Sequence, residues 1–342
     1  MRGKSIIPIV IAGALYLTAC QKDHTFLVPS ESDLIYSVPV GFPQPEFPSD
    51  NAFSKKRWEL GKMLFFDSRL SKDSSTSCAS CHKAHLAFSD NIPKTSGVFD
   101  LPGTRNAPTL TNVVYQPYFT REGGVQSLEM QVLVPIQEHN EFGFNILEIT
   151  KRLQSDSIYQ RMSNKAYQSP LDYSSLVRAI ATFERSLISG NSTYDKFEFQ
   201  GNKSALTGFE AAGLKLFFSE KTNCSQCHSG FNFTNYAFEN NGLYADFEDT
   251  GLERLTRKDG DNGRFKVPTL RNVGITAPYM HDGSLTSLED VVEHYNNGGA
   301  IHRNESPLIK PLGLNAIEKQ QLVAFLNTLT DHDFLNNNSF KN

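Results

Sequence analysis

The sequence is poor in the features that mark several common classes of protein. Its 342 residues include only five cysteines and one tryptophan, and its net charge is −4 with no long basic run. A weak negative charge without basic clusters argues against a nucleic-acid partner. After residue 17 no segment is apolar enough to span a membrane. These absences leave an ordinary globular protein in which the few cysteines carry most of the information.

Four of the five cysteines belong to two copies of the pattern C-x-x-C-H, at residues 78–82 and 224–228. This is the attachment signature of a c-type haem, in which each thiol bonds a vinyl group and the histidine ligates the iron. Zinc knuckles or redox C-x-x-C pairs compete, but a histidine follows both pairs and too few cysteines remain to complete a zinc site. We therefore expect two covalent haem c groups and no disulfide. The attachment residues are Cys78, Cys81, His82, Cys224, Cys227 and His228.

The fifth cysteine ends an export signal. Basic residues at the N-terminus precede an apolar run over residues 6–17 and the tetrapeptide Leu-Thr-Ala-Cys at 17–20. This resembles a bacterial lipobox, so residues 1–20 are predicted to be a lipoprotein signal peptide, with Cys20 lipidated; a plain signal peptide is the alternative. Export agrees with haem c attachment, which takes place outside the bacterial cytoplasm. The residues after Cys20 favour the periplasmic side of the outer membrane.

The mature chain is predicted to consist of a tether and two domains. Residues 21–50 hold five prolines among polar residues and suggest an extended tether. Beyond it the sequence repeats: residues 60–66 are echoed at 212–218, and 107–113 at 267–273. Ser-Leu-Glu at 127–129 returns at 287–289. We predict a haem domain over 51–195 and a second, related by duplication, over 196–335.

The predicted fold class is mainly α, with two cytochrome c-like domains. Apolar residues recur with a helical period over 173–187 and 316–329. Asn315, with Glu318 three residues later, predicts a capping box at the start of the second of these helices. Residues 235–263 are rich in Gly, Asp and Asn and are expected to form loops.

From about residue 58 to 329 the chain resembles the bacterial di-haem cytochrome c peroxidases and their MauG-like relatives. The matching motifs are Leu-Gly-Lys at 60–62, Arg-Asn-Ala-Pro-Thr at 105–109, Glu-Phe-Gly at 141–143 and Ala-Pro-Tyr-Met-His-Asp-Gly-Ser at 277–284, besides the haem motifs. The resemblance implies a peroxide-binding first haem and a second haem that relays electrons. It assigns the acid–base role to Glu141, with Gln131 as a polar neighbour, because O–O cleavage needs a group that moves a proton between the two oxygens.

The sixth ligand of the second iron is left open between several candidates. The family's ligand position corresponds to Tyr295, where the peroxidases carry Met and the MauG-like branch carries Tyr. Met280 and His294 are alternatives, as is the absence of a protein ligand. A phenolate would lower the potential of this haem and stabilise oxidised iron.

The chain departs from the peroxidase pattern in two places. Val98 stands where the classical enzymes have a distal histidine, so the first iron is expected to react without reductive activation. Arg121 stands where a tryptophan lies between the haems, and the only tryptophan, Trp58, is expected to be a packing residue.

The resemblance also implies a Ca²⁺ ion between the domains, bound by Asn106, Thr276 and Pro278, unless Asn106 merely caps a turn.

The first functional hypothesis is a peroxidase that reduces hydrogen peroxide with electrons from a small cytochrome c or cupredoxin. The alternatives are a MauG-like oxidase of a protein substrate and a plain electron-transfer cytochrome; a homodimer is possible.

Overall fold

The computed structural model describes residues 35–342. The signal peptide, Cys20 and residues 21–34 of the tether lie outside this range. Within it no helix has both the length and the hydrophobicity to cross a bilayer. The described end of the tether packs against the protein, because Phe42 is buried with its ring 4.7 Å from that of Phe231. This part of the predicted tether is therefore a docked segment and not a free spacer.

The described residues form mainly helices, as predicted. The α-helices are α1 (Lys55–Phe65), α2 (Cys78–Cys81), α3 (Leu128–Gln137), α4 (Ile146–Gln154), α5 (Ser157–Tyr167), α6 (Tyr173–Arg185), α7 (Thr193–Glu198), α8 (Gly208–Phe217), α9 (Cys224–Cys227), α10 (Glu253–Thr256), α11 (Leu288–Asn297), α12 (Ala316–Asn327) and α13 (His332–Asn336). Short 3₁₀ turns lie at Ser49–Asn51, Ser68–Leu70, Ala84–Leu86, Val98–Asp100, Val113–Tyr115, Asp259–Asp261, Val273–Ile275 and Asn338–Phe340. Two antiparallel strands, β1 (Phe238–Glu239) and β2 (Phe265–Lys266), pair with each other.

The two helices predicted from periodicity are α6 and α12. The capping box is present, since the Asn315 side chain accepts from the backbone N–H of Glu318 while the Glu318 carboxylate accepts from that of Asn315. The prediction of loops over 235–263 is wrong in part, because β1 and α10 lie there. Both are too short to produce a periodic signal.

Each half of the molecule is built on one close crossing of two helices. Gly61 on α1 meets α6, and a Cβ atom placed on it would lie 1.9 Å from the carbonyl oxygen of Ala179. Gly213 on α8 meets α12 in the same way, with 1.9 Å to the carbonyl oxygen of Gln321. Only glycine permits this approach. The repeated Gly of residues 60–66 and 212–218 is thus explained by packing.

The aromatic cores of the halves have the same geometry. In the first, the ring of Phe65 lies 5.9 Å from Phe88 and 5.0 Å from Phe183. In the second, Phe217 lies 5.9 Å from Phe233 and 5.1 Å from Phe325. These edge-on and tilted arrangements are the favoured ones for aromatic pairs. The matched triads reproduce in space the duplication found in the sequence.

The described residues form two large buried clusters, one in each half of the chain. The first core includes Leu187, and the second begins with Tyr194 on α7. The C-terminal segment departs from the predicted division, because Phe334 of α13 and Phe340 pack back into the first core. The first domain is therefore completed by the end of the chain.

Adding one methyl group at the crossings should separate the helix pairs. We expect Gly61→Ala and Gly213→Ala each to lower the free energy of unfolding by about 1–3 kcal/mol, the usual cost of overpacking. Denaturant titration of the haem-loaded protein would measure it. Gly208→Ala is the matched control, since nothing lies within 4 Å of a Cβ placed on this α8 residue. Equal stability of the Gly213 and Gly208 variants would contradict the packing argument.

Candidate haem and peroxide sites

The first C-x-x-C-H motif lies on α2. One helical turn places the thiols of Cys78 and Cys81 three residues apart on the same side of the helix. The ring of His82 follows, with its Nδ1 2.8 Å from the carbonyl oxygen of Phe88. A carbonyl only accepts, so Nδ1 carries the proton and Nε2 is left free to bind a metal. Burial lowers the pKa of His82, which keeps the ring neutral as a ligand must be.

The second motif, on α9, repeats this arrangement. His228 places its Nδ1 3.0 Å from the carbonyl oxygen of Phe233, and burial lowers its pKa in the same way. The four described cysteines form no disulfide, so all four thiols are available for thioether bonds. Two thiols beside a free imidazole nitrogen in each domain fit a covalently attached haem.

Glu141 faces the first motif. Its side chain is accessible to solvent, yet the surrounding protein removes enough water to raise its pKa to about 7, with repulsion from Glu138 as the second cause. The carboxylate in turn raises the pKa of the Cys81 thiol, after the larger effect of burial. A carboxyl that titrates near neutrality can both accept and donate a proton.

Gln131 and Val98 are the other two residues considered for the peroxide site. The side-chain oxygen of Gln131 on α3 is buried and has no hydrogen-bond partner in the described part of the chain. Such an orphaned acceptor fits a pocket designed for a polar ligand. Val98 is buried, and its N–H donates to the carbonyl oxygen of Glu141 at 2.9 Å. The loop that contains Val98 therefore lies directly against Glu141.

The candidates for the second iron's ligand lie around Asn241. The side-chain amide of Asn241 donates to the sulfur of Met280 at 3.2 Å, and the backbone carbonyl oxygen of Asn241 is 3.0 Å from Nε2 of His294. Tyr295 on α11 has a pKa raised to about 12, mainly by burial, and the thiols of Cys224 and Cys227 add to the shift. The phenol thus lies near the second haem motif. All three candidate side chains interact with Asn241, the phenol and the sulfur with its side chain and the imidazole with its backbone carbonyl.

Pro135 is the residue of the first half that corresponds to Tyr295 of the second, a pair that the sequence analysis missed. The helices α3 and α11 begin at equivalent serines, Ser127 and Ser287, each of which caps its helix through its hydroxyl. The same spacing of 160 residues pairs Pro135 with Tyr295. The side chain of proline carries no metal-binding atom. At this position α3 of the first domain therefore has no side-chain ligand, whereas α11 of the second domain has a phenol. Extending the repeat from residues 127–129 through α3 would have revealed this pair.

Trp58 packs inside the first core, as expected. It is buried, its ring nitrogen donates to the hydroxyl of Ser186 at 2.8 Å, and its ring lies 5.9 Å from Phe183. Its satisfied hydrogen bond and core position give it a structural role.

The domain interface does not fit the expected calcium ion. A nitrogen of the Arg121 guanidinium lies 2.7 Å from the carbonyl oxygen of Asn106 and 3.5 Å from its side-chain oxygen. Burial, together with repulsion from Arg105, lowers the pKa of Arg121 to about 10, so it remains charged at neutral pH. The residues from 35 onward contain no cluster of three or more acidic, His or Cys side chains able to hold a metal. The ion expected at Asn106, Thr276 and Pro278 stays a prediction, and the Arg121 guanidinium already contacts the Asn106 oxygens.

Comparison with known proteins agrees with this geometry. A family model described as di-haem cytochrome c peroxidase matches residues 55–204. The MauG protein of Methylorubrum extorquens is 34% identical over 96% of each chain. The cytochrome c551 peroxidase of Nitrosomonas europaea is 35% identical over 80% of this chain and 79% of its own. A crystal structure of a MauG-like protein associated with microbial copper homeostasis superposes with a TM-score of 0.85 at 32% identity, covering 89% of this chain and 98% of that one. The di-haem peroxidase BthA of Burkholderia thailandensis, at 22% identity and a TM-score of 0.72, shares the fold.

The fold and its twin motifs thus define a di-haem c-type oxidoreductase. The chain belongs to the family of di-haem cytochrome c peroxidases and MauG proteins.

Each motif should carry its own covalent haem. We expect the denatured, exported protein to retain two haems per chain and the double variant Cys78→Ala, Cys81→Ala to retain one, because thioether bonds survive unfolding. The corresponding change at Cys224 and Cys227 is the matched control and should leave the other haem. Haem content by pyridine haemochrome measures both, and zinc without haem in matured protein would contradict the assignment.

Proposed function

We propose that the protein reduces hydrogen peroxide to two molecules of water. The reaction consumes two protons from solvent and two electrons from a small cytochrome c or cupredoxin. The observation that carries this proposal is the Glu141 carboxyl, with a pKa of about 7, beside the first haem motif. The bound haem iron would supply the site at which peroxide is reduced. A plain electron-transfer cytochrome would have no use for such an acid–base group.

In this proposal Glu141 moves the proton. As a carboxylate it accepts a proton from the peroxide oxygen nearest the iron and returns it to the distal oxygen, which leaves as water. The unpartnered oxygen of Gln131 accepts a hydrogen bond from the peroxide or from water and so orients it. The side chains of Pro135 and Val98 carry no coordinating atom, so they would not compete with peroxide for the iron of a haem held by His82.

A second candidate function is oxidation of a protein substrate, as the MauG name of the first relative suggests. The observation that favours it is the position of Tyr295 near Cys224 and Cys227. We propose His82 and His228 as the proximal ligands and Tyr295 as the sixth ligand of the second iron, with Met280 as the alternative. An anionic phenolate stabilises the oxidised metal, so this haem would serve to hold oxidising equivalents.

We further propose export to the periplasmic side of a bacterial membrane, with a lipid anchor on Cys20 and the outer membrane favoured. The support is the lipobox-like sequence at 17–20 together with the haem motifs. The proposed cofactors are two haem c groups without calcium, because Arg121 contacts the expected ligand Asn106. A homodimer stays a prediction.

Loss of the Glu141 carboxylate should slow the reaction with peroxide. We expect Glu141→Gln to preserve both haem spectra and to reduce the rate roughly 10²–10⁴-fold, the usual contribution of general acid–base catalysis. The wild-type rate should rise with pH through about 7, because Glu141 must be deprotonated to accept the proton. Stopped-flow mixing with peroxide at several pH values measures both.

Glu138→Gln is the matched control for this experiment. It removes the negative charge that helps to raise the pKa of Glu141, so the rise in rate should move to lower pH while reactivity is kept. A wild-type rate in Glu141→Gln would assign proton transfer to another group.

The ligand of the second iron can be tested by three substitutions. We expect Tyr295→Phe to alter the ferric low-spin spectrum, and Tyr295→His to retain the haem and raise its reduction potential, because a neutral ligand replaces an anionic one. Met280→Ala is the control and should leave the spectrum unchanged. The fully oxidised enzyme should react with peroxide without prior reduction. A silent Tyr295→Phe with a shifted Met280→Ala, in an enzyme inert until reduced, would refute the assignment.

A further inference from the structure

The two domains meet through a reciprocal pair of backbone hydrogen bonds. The N–H of Asn106 donates to the carbonyl oxygen of His281 at 2.9 Å, and the N–H of Lys266 donates to that of Arg121 at 2.7 Å. Asn106 and Lys266, like Arg121 and His281, are 160 residues apart, the spacing of the repeat. The duplication therefore created a symmetric backbone frame whose side chains have since diverged. Arg121 and Asn106 are both fixed by this frame.

Within the frame, Arg121 turns its guanidinium onto Asn106. One nitrogen lies 2.7 Å from the backbone carbonyl oxygen and 3.5 Å from the side-chain oxygen of Asn106. The Nε atom of Arg121 is buried without a partner in the described residues. A guanidinium is always charged in proteins and only donates hydrogen bonds. The oxygens of Asn106 therefore already face a permanent positive charge.

The acidic groups of this interface accept hydrogen bonds from groups other than Arg121. Arg105 makes a bidentate contact with Asp249 at 2.6 and 2.8 Å and a further one with Glu122 at 2.6 Å. The Asp282 carboxylate accepts from the hydroxyl of Tyr244 at 2.6 Å. The ammonium of Lys266 lies among neutral oxygens of the first domain. Within residues 35–342 no carboxylate hydrogen-bonds Arg121, whose hydrogen-bond partners are neutral oxygens, although Asp249, Glu122 and Asp282 attract it from further away.

We propose that the guanidinium of Arg121 is the resident cation of the domain interface and that it replaces a bound calcium ion in this protein. Calcium binds oxygens at 2.3–2.6 Å, so an ion on the side-chain oxygen of Asn106 would lie within about 6 Å of the guanidinium nitrogen. Arg121, Arg105 and Lys266 would all repel it. Because the arginine is part of the chain, a chelator cannot remove it.

The test uses the haem-loaded protein and calcium alone. We expect the wild type to hold less than about 0.1 calcium per chain by mass spectrometry and to keep its unfolding midpoint and haem spectra in excess EGTA. Arg121→Gln keeps a polar side chain but removes the charge. Its midpoint in EGTA should fall by about 5 °C, the order expected for a lost charged hydrogen bond in a chain of this size. Calcium should restore the midpoint, because the Asn106 oxygens are then released.

Two variants make the outcome specific. Arg121→Lys keeps the charge and should stay insensitive to calcium. Arg105→Gln removes a guanidinium that hydrogen-bonds Asp249 and Glu122 and not Asn106, so this variant should lose stability without gaining a calcium response. The proposal is overturned if the wild type carries one calcium per chain or responds to EGTA. It is also overturned if Arg121→Gln matches the wild type in EGTA, or if calcium fails to restore its stability. Should Arg121→Gln fail to mature, the calcium content and EGTA response of the wild type still decide. Because these readouts do not involve peroxide turnover, they are independent of the proposed function.

Discussion

The hydrogen bond from each motif histidine to a backbone carbonyl is the interaction on which both halves of the molecule depend. It fixes the proton on Nδ1 and leaves Nε2 for the iron, and its acceptors belong to Phe88 and Phe233. Both phenylalanines have positive φ values, 58° and 50°. The same residue thus orients the ligand through its carbonyl and enters the aromatic core through its ring. Displacing either ring would also move the acceptor that orients the imidazole.

The duplication was preserved in the backbone and changed in the side chains that bear on function. The glycine crossings, the aromatic triads and the reciprocal interface bonds are the same in both halves. At the spacing of 160 residues found in this part of the repeat, Pro135 corresponds to Tyr295 and Thr111 corresponds to Arg271. Arg271 is fully buried and pairs with Asp195 at 2.6 Å, a contact without a counterpart in the first domain. One scaffold could therefore take on two different roles by a few substitutions at fixed positions.

The sequence predicts the parts of this structure that rest on local patterns. The haem motifs are contiguous, the helices α6 and α12 have strong apolar periods, and the capping box at Asn315 involves neighbours in the chain. The return of Phe334 to the first core could not be predicted, because it depends on contacts between distant segments. The contact of Arg121 with Asn106 depends on the folding of a loop without periodicity, so the sequence could not predict it. The raised pKa of Glu141 follows from desolvation by the surrounding protein and from repulsion by Glu138, which only the three-dimensional structure supplies.

The helix crossings also set the order in which an emerging chain can fold. Gly61 on α1 closes against Ala179 on α6, and the first haem motif lies between them in sequence. A chain that leaves the cytoplasm with its N-terminus first therefore exposes residues 78–82 well before α6 is available. The same holds for residues 224–228, which emerge before α12 can close on Gly213. Each motif thus passes through an interval in which it is accessible in an open chain, and the covalent attachment of haem can be completed before the domain shuts around it.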